Sequence, residues 1–534
     1  MQKRLPINLL LLLLLLVSSS ALSQQGEYIV GKLLDAKTQE PVAFASIRIK
    51  DRALGIISNI DGSFKIPLKY KEYGDIIEIS SMGYQTKEIL IFDFSIFELN
   101  NVRLQPAIWQ LQEAIVTGKK KRELSARQIV RKALRAIPDN YPLEPFSMVG
   151  YYRDYQLDSL QYVNLNEAIL EVYDQGFDAM DSVTTKVKIY DYLENTDFKR
   201  DSMALRSYNY KFKKGRKVID NAFLSAYGGN EFTILRVHDA IRNHKVSSYS
   251  FVHRLKSDVL SEHRFKRIPD TYFDGEPLYT IRFTKLLLNY SAYGTMYISK
   301  RNFAIHKMDY TVYDLKKKLP NGLRNKHETE NELIFEITTS YQPKNDKMFL
   351  NYISFHNTFQ LWDPPKFVID YITPDYVSKC FVVGFNNKVR LQDAVALKNY
   401  EVKVKGKIVR MQKAELTDAQ DVVLLYPKMY PNKAEQMLRE IEIAARKKKI
   451  TNELFEIKLT NIKDVDGNVI DQWTSRDYNQ FREFFTQEVK PLTQAPSDTL
   501  FMKKQRPIFK DQVVVKPDNF DDYWMNTPLR NKTN

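Results

Sequence analysis

Hydrophobic and polar residues alternate along most of this chain with the two-residue period of half-buried β-strands. From residue 26 to 104 the strands are short. Tyr28 to Leu34 opens, Ala36 to Pro41 reads as a turn, and Ala45 to Ile49 alternates apolar with polar. Asn59-Ile60-Asp61-Gly62 carries a hairpin signal, because glycine supplies the positive φ of a tight turn. Ser63 to Leu68 and Asp75 to Ser80 continue the pattern, followed by Gly83-Tyr84. About seven strands in about 80 residues predict a small antiparallel sandwich. Over residues 146–405 the β segments lengthen and fill with Tyr, Phe, Ile and Val. Tyr162 to Tyr173, Phe232 to Val237, Leu278 to Thr284, Gly294 to Ser299, Phe303 to Tyr313, Leu333 to Tyr341 and Met348 to Phe359 are the clearest. Strand after strand with polar turns predicts one large antiparallel sheet, curved or partly rolled around a core.

The period turns helical in three places. In the linker, residues 105–145, Ser125 caps a helix and Gln128 completes a capping box. Ile129, Ala133, Leu134 and Ile137 line one face until Pro138 stops it, and Arg127, Arg131, Lys132 and Arg135 take the solvated face. Residues 406–490 read as an α/β region with two amphipathic helices. One spans 432–449, capped by Asn432 with Glu435 three residues on, and turns Met437, Leu438, Ile441, Ala444 and Ala445 inward. The other runs from Arg476 to Val489 on a stripe of Tyr478, Phe481, Phe484 and Phe485. Residues 491–534 form a proline-rich extended tail, with Phe520, Tyr523 and Trp524 as its anchor. Its prolines fall too close together for membrane strands of about 10 residues, and no terminal aromatic follows Asn531-Lys532-Thr533-Asn534, so no integral barrel is expected.

Composition changes the picture at the N-terminus. Lys3 and Arg4, the leucine run from Leu9 to Leu16, and small residues with Ala21 and Ser23 at cleavage spacing are the parts of a signal peptide over residues 1–23. The apolar run stops at Val17, short of the about 20 residues a spanning helix needs. Export to the periplasm or the outer membrane is the expectation, with no integral transmembrane segment after cleavage. The net charge of +15 then points to anionic glycans, lipid headgroups or acidic outer-membrane partners rather than nucleic acid, beside the plain reading of a solvated basic surface. Cys380, the single cysteine, sits in an apolar run read as a buried strand.

The N-terminal residues carry a resemblance. The segments "VGKLLDAKTQEPVAFASIRIK", "GIISNIDGSFKI" and "IEISSMGYQTKEI", with Pro41-Val42, Asp61-Gly62-Ser63-Phe64 and Gly83-Tyr84, resemble the carboxypeptidase-regulatory-like domain. That resemblance implies an Ig/prealbumin-like β-sandwich, common at the front of exported proteins of the Bacteroidota, and no peptidase activity. Leu111 to Gly118 resembles the strand that leads into the plug of TonB-dependent transporters, but here a helix follows. "SARQIVRKALRAIPDNYP", "FSMVGYYRDY" and "NEAILEVYDQGF" resemble an uncharacterised family in which a β-rich domain follows the sandwich. "GTMYISKRNFAIHKMDY" is also similar to outer-membrane lipoprotein-sorting proteins, whose half-open barrels hold acyl chains.

Motifs for chemistry are sparse. Of the seven histidines none forms a zincin pair, and His327-Glu328-Thr329-Glu330 matches a carboxypeptidase ligand tetrad only in spacing, with His356 the one histidine downstream. Asp464-Val465-Asp466-Gly467-Asn468 lacks the glycine and glutamate positions of an EF-hand and reads as a hairpin turn. No nucleophile elbow, P-loop or dinucleotide fingerprint is present. No catalytic, cofactor-binding or metal residue is therefore assigned. The expectation is a mainly β protein: sandwich, large curved antiparallel sheet, small α/β region and tail. Its leading role is that of a non-enzymatic binding or scaffold protein, with Tyr151, Tyr152, Tyr155, Tyr162 and Tyr173 lining a groove on the sheet. An envelope hydrolase acting on glycan or peptide and a lipid or lipoprotein carrier are the alternatives.

Overall fold

Alternation along Tyr28–Asp35 (β1) turns Ile29 and Leu33 fully inward. In the computed structural model, which describes residues 28–107 apart from 51 and 53, 123–158, 161–205, 217–218, 229–245, 259–447, 449, 451 and 453–529, this strand opens a sandwich. Its partners are β2 (Ser46–Ile49), β3 (Gly55–Ile57), β4 (Ser63–Pro67), β5 (Ile76–Ser80), β6 (Lys87–Leu90) and β7 (Asn100–Leu104). One sheet has the order β4-β1-β7 and the other β3-β2-β5-β6, with Ile29, Phe64, Ile47 and Ile77 between them. Gly31 is required by packing, since a Cβ there would lie 2.2 Å from the Phe64 ring. The Asn59–Gly62 turn forms, with Gly62 at φ 77°. It joins no hairpin, however: β3 and β4 belong to different sheets, so the turn carries the chain across the sandwich.

Ser125 and Gln128 close the expected capping box on α1 (Ala126–Arg135), which buries Ile129, Val130 and Ala133. The long strands follow: β8 (Phe146–Asp158), β9 (Gln161–Asp174), β10 (Lys186–Glu194), the two-residue β11 (Lys217–Val218), β12 (Arg264–Phe273), β13 (Glu276–Leu286), β14 (Tyr290–Ser299), β15 (Ile305–Lys318), β16 (Asn331–Lys344) and β17 (Lys347–Asp363). Phe232–Val237, expected as a strand, is instead within the helix α2 (Glu231–Val237). Asn230 caps it by accepting from the Thr233 amide at 2.9 Å, and the helix is buried on nearly all sides, which erases the amphipathic period.

The chain divides into two units, and Gln360–Asp477 builds the second together with Lys217–Val218. Its sheets are β18-β19-β23-β22 and β21-β20-β24, from β18 (Ile369–Asp375), β19 (Cys380–Phe385), β20 (Tyr400–Val404), β21 (Lys407–Val409), β22 (Met411–Leu416), β23 (Val422–Pro427) and β24 (Phe455–Leu459). Helix α3 (Pro431–Arg446) packs Leu438 and Ile441 inward; Tyr430, not Asn432, stands at its N-cap, with no side-chain cap bond, because Pro431 already starts the helix and places Asn432 inside its first turn. Cys380 is fully buried in β19, which pushes its thiol up to about 11. Asp464–Asn468 forms the expected turn, Asp464 accepting from the Asn468 amide at 2.7 Å.

The second amphipathic helix of the sequence reading is a strand, β25 (Thr474–Pro491). Phe481, Glu483 and Phe485 point to one side and Gln480, Arg482 and Phe484 to the other. Both sides are buried, so aromatic residues occur on each, and their combined spacing imitates a helix. β25 pairs antiparallel with β8 and completes a sheet in the order β10-β9-β8-β25-β17-β16-β15-β14-β13-β12. Between its edge strands β10 and β12 there is no ladder among the described residues. Register shifts in β10, β12, β15 and β16 are bulges, which bend strands and coil a sheet.

One face of this sheet carries α1 and α2. The other carries the sandwich and tail, which meet it through Tyr352, Phe485 and Trp524. Arg153 stands at that junction. Its Nε donates to Glu483 at 2.5 Å, and its Nη1 donates to Asn59 of the sandwich turn and, at 3.4 Å, to the Asn526 carbonyl of the tail. Tyr352 donates to the same Glu483 at 2.7 Å. The tail is held as expected, by Trp524 Nε1 on the Lys65 carbonyl at 3.0 Å and by the Tyr523 hydroxyl on Glu488. Breaking a buried ion pair from one side leaves an uncompensated charge. Arg153→Met is expected to cost about 3–5 kcal/mol in denaturant unfolding, and Arg153→Met/Glu483→Leu to recover most of it. Equal losses in the single and double variants would show that the pair is not the linchpin.

Candidate functional site: a trough across the open sheet face

The five tyrosines expected to line a groove are split by strand parity. Tyr151, Tyr155, Tyr162 and Tyr173 share the sandwich-bearing face, whereas Tyr152 points to the helices. Tyr151, Tyr152, Tyr155 and Tyr173 are buried, and the half-buried Tyr162 packs between Tyr155 and Phe198. Tyr151 donates to Glu167 at 2.6 Å, Tyr155 stacks on Phe481 at 5.1 Å, and Tyr173 donates to Glu171. The sandwich and tail cover these strands, which makes the four rings packing groups.

Further along the same face, register aligns side chains of β13 to β17 in three rows, in which Arg282 is exposed and Tyr293, Thr295, Tyr297, Lys307, Asp309, Glu336, Thr338, Ser340 and Ser354 are half-buried, while Thr280, Thr311 and Tyr352 are buried. The middle row runs Arg282, Thr295, Asp309, Thr338, Ser354, each directly opposite the next. One flank is Thr280, Tyr297, Lys307, Ser340, Tyr352, and the other is Thr284, Tyr293, Thr311, Glu336, His356. Short hydroxyl side chains dominate the floor, and rings and long charged groups form the walls. The result is a shallow trough perpendicular to the strands. Five strands make it about 19 Å long, and the flanking rows stand about 13 Å apart.

Each wall has its own support. On one side the loop before β16 folds back so that His327 stacks on Tyr293 at 4.6 Å and meets the Tyr313 hydroxyl at 2.8 Å. Burial, with Lys326 beside it, pushes His327 down to about 4, so the ring is neutral at pH 7. On the other side burial and the Asp309 carboxylate push Tyr297 up to about 12, keeping its hydroxyl a donor. The sandwich adds Phe44, which stacks on Tyr352 at 5.5 Å and is 38% exposed. Phe44 holds φ at 58°, a left-handed conformation that strains a non-glycine residue and often marks a working position. In the floor, Thr338 donates to Asp309 at 3.0 Å, and Arg282 is exposed at the open end.

These groups suit recognition better than bond cleavage. Burial raises Glu336, but the Lys326 ammonium in contact with it outweighs burial and holds the carboxyl below its usual range. An acid catalyst needs the opposite shift. Elsewhere, Ser299 and His306 both meet Glu276, the imidazole at 3.4 Å. The carboxylate lies between hydroxyl and imidazole, an order in which the histidine cannot take the serine proton. The tetrad His327 to Glu330 is spread out as well: His327 stacks in the wall, and Glu330 lies 3.8 Å from Lys318. His356 stacks on Phe481 at 4.0 Å. Among the described residues no group of His, Cys, Asp or Glu is placed to hold a metal ion.

On the helix-bearing face, the sheet side chains pack against Ile129 and Val130 of α1 and Phe232, Ile234 and Leu235 of α2. A polar group lies within this core. Arg482 is fully buried and donates to Glu231 and, at 2.6 Å, to Asn357. Asp154 accepts from Tyr152 at 3.0 Å and Asn166 at 2.9 Å. Burial, then the Glu231 charge, pushes Asp154 up from 3.8 to about 6.

Residues 29–116 match the family described as the CarboxypepD_reg-like domain. No curated protein sequence matches the chain. Among solved structures, a LolA superfamily protein from Nitrosomonas europaea is similar over 44% of this chain and 86% of its own, at 10% identity and TM-score 0.20. A domain from Vibrio parahaemolyticus, provisionally described as an outer membrane lipoprotein-sorting protein, is similar over 43% and 85%, at 13% identity and TM-score 0.19. A DUF1329 family protein from Desulfovibrio piger covers 44% and 87%, at 10% identity and TM-score 0.19. Among the described residues no helix is long and apolar enough to cross a membrane. The leader segment and Leu111 to Gly118 lie outside the described residues.

The raised Asp154 gives a pH test. Its proton is held more tightly in the folded state, so its stabilising contribution is complete below 3.8 and is lost as pH rises through about 6. Asp154→Asn removes that loss. Unfolding free energies are expected to match wild type near pH 4 and to exceed it by about 3 kcal/mol above pH 7. A difference that does not vary with pH would refute the assignment.

Proposed function

We propose that this chain is a non-enzymatic binding protein of the cell envelope whose ligand lies in the trough across β13–β17, and that the ligand is an acidic glycan strand. The observation that carries this reading is the three-row register, which sets a hydroxyl floor between aromatic walls. Sugar rings present apolar faces to aromatic rings and hydroxyls to Thr, Ser and Asp, while Arg282 and Lys307 supply charge for an acidic substituent. Arg264 and Lys266, on β12 beside Arg282, are exposed and extend the positive end. The net charge of +15 agrees with an anionic partner, and the leader pattern supports placement in the periplasm or at the outer membrane. The regulatory-like sandwich then serves as a brace for the sheet and lends Phe44 to the end of the trough.

Binding to a panel of acidic and neutral oligosaccharides, read by calorimetry, tests the reading. Tyr293→Ala and Tyr297→Ala are expected to weaken every bound glycan about tenfold, a loss of about 1.4 kcal/mol. Arg282→Ala is expected to weaken acidic glycans selectively and to flatten the salt dependence. Folded protein that binds no glycan, or variants that bind as wild type does, would sink it.

A further inference from the structure

Helix α1 carries charge in an order that its own stability does not explain. Ile129, Val130 and Ala133 are buried, whereas Arg127, Arg131, Lys132 and Arg135 are exposed. Arg127, Arg131 and Arg135 follow one another at i, i+4 and i+8, so their side chains stand in one row about 12 Å long. Like charges at that spacing destabilise a helix, and Arg127 also sits in the first turn, against the positive end of the helix dipole. The helix holds no acidic residue at all. Helix α3 arranges its solvated face differently: Arg439 meets Glu435 at 3.0 Å and Arg446 meets Glu442 at 2.6 Å, each pair one turn apart.

Neighbouring carboxylates do not neutralise the row. Glu123, just ahead of the helix, lies 3.3 Å from Arg267, and Asp270 is held between Arg267 and Lys300 at 2.8 and 2.5 Å. Glu276 is taken by Ser299 and His306. Among the described residues Arg127, Arg131 and Arg135 have no ion-pair partner, and Asp139, past the helix end, pairs with none of them. Lys132 stands 4.9 Å over the Phe303 ring. In sequence, residues 119–135 hold eight Lys or Arg against one acid, Glu123.

We infer that this row docks the protein on a membrane surface bearing anionic lipid headgroups. Four or more cations clustered on an amphipathic helix are what such a surface attracts. The apolar side of α1 is already buried in the core, so the helix rests on the headgroups without inserting and the contact is electrostatic. Its outer side is convex and carries no aromatic ring, which gives a sugar or a peptide little to lie against. Mobile headgroup phosphates can instead gather under the arginine forks, each of which can hold a phosphate through two hydrogen bonds. Because α1 and the trough lie on opposite faces of the sheet, a chain docked in this way turns the trough away from the lipid. The docking stands independently of what the trough binds.

Co-sedimentation of the full mature chain with phosphatidylcholine vesicles, with or without about one-third phosphatidylglycerol, tests the inference. Binding is expected to the anionic vesicles only, and to fall steeply as salt rises from about 0.05 to about 0.5 M. Arg131→Gln is expected to weaken it about fivefold, and Arg127→Gln/Arg131→Gln/Arg135→Gln about a hundredfold. Since these changes remove repulsion from an exposed helix face, Tm is expected to stay level or rise, an outcome that separates docking from folding. The triple variant is also expected to bind soluble polygalacturonate as wild type does. Absence of binding to anionic vesicles, equal binding to neutral ones, or wild-type vesicle binding by the triple variant would overturn the inference. So would a triple variant that loses polygalacturonate as strongly as vesicles, which would assign the row to acidic glycans.

Discussion

Arg153 is the point at which four distant parts of the chain become one body. A guanidinium is planar, always charged and equipped with five donors in fixed directions, so it can satisfy several partners from different segments at once. Here it reaches Glu483 of the last long strand, Asn59 of the sandwich turn and the Asn526 carbonyl of the tail from its own place on β8. The geometry of each partner depends on the others being present. The sandwich seats on the sheet because Asn59 finds Arg153, and the tail seats because Asn526 also bonds the Ile57 carbonyl and the Lys65 amide. Everything on that side of the sheet, including Phe44 at the trough, takes its position from this junction.

Burying so much charge sets a division of labour between the two faces. Charged groups under the sandwich and beneath α2 are paired and held, and they are costly to disturb. Along β13 to β16, by contrast, Arg282 is exposed and Thr295, Asp309 and Thr338 are half-buried, so these polar residues reach solvent in part. A binding surface needs that second condition: its groups must be positioned by the strands yet still have hydrogen bonds to give.

Local chemistry was legible in the sequence wherever one face of an element meets water. The capping box at Ser125 and Gln128, the Asp464 to Asn468 turn, the sandwich and the alternating strands around Leu278 to Thr284 all read directly. Legibility failed where both faces are buried. Phe481, Phe484 and Phe485 imitate a helical stripe because two faces of one strand are superposed in sequence. Phe232 to Val237 reads as a strand because β-branched residues pack well inside a helix that touches no water. Tyrosine content signalled an aromatic face, but which tyrosines stay uncovered depends on where the sandwich docks. The trough itself lies across strands separated by turns and loops, so its rows exist only once register is known. Alternation in each strand offered the one available hint.

The placement of β25 constrains how the molecule can be made. A ribosome delivers β8 early and β25 more than 300 residues later, yet the two are neighbours in the middle of the sheet. Until the C-terminal residues arrive, β8 and β17 each present a bare hydrogen-bonding edge and an unfilled apolar flank. Such half-sheets are prone to join with other chains, and closing so long a loop is slow. A chain that crosses a membrane before folding escapes the problem, since all its strands reach the far side before any of them must choose a partner. The topology thus favours late, concerted assembly, and it ties β25 and Asn526 to the integrity of the N-terminal sandwich.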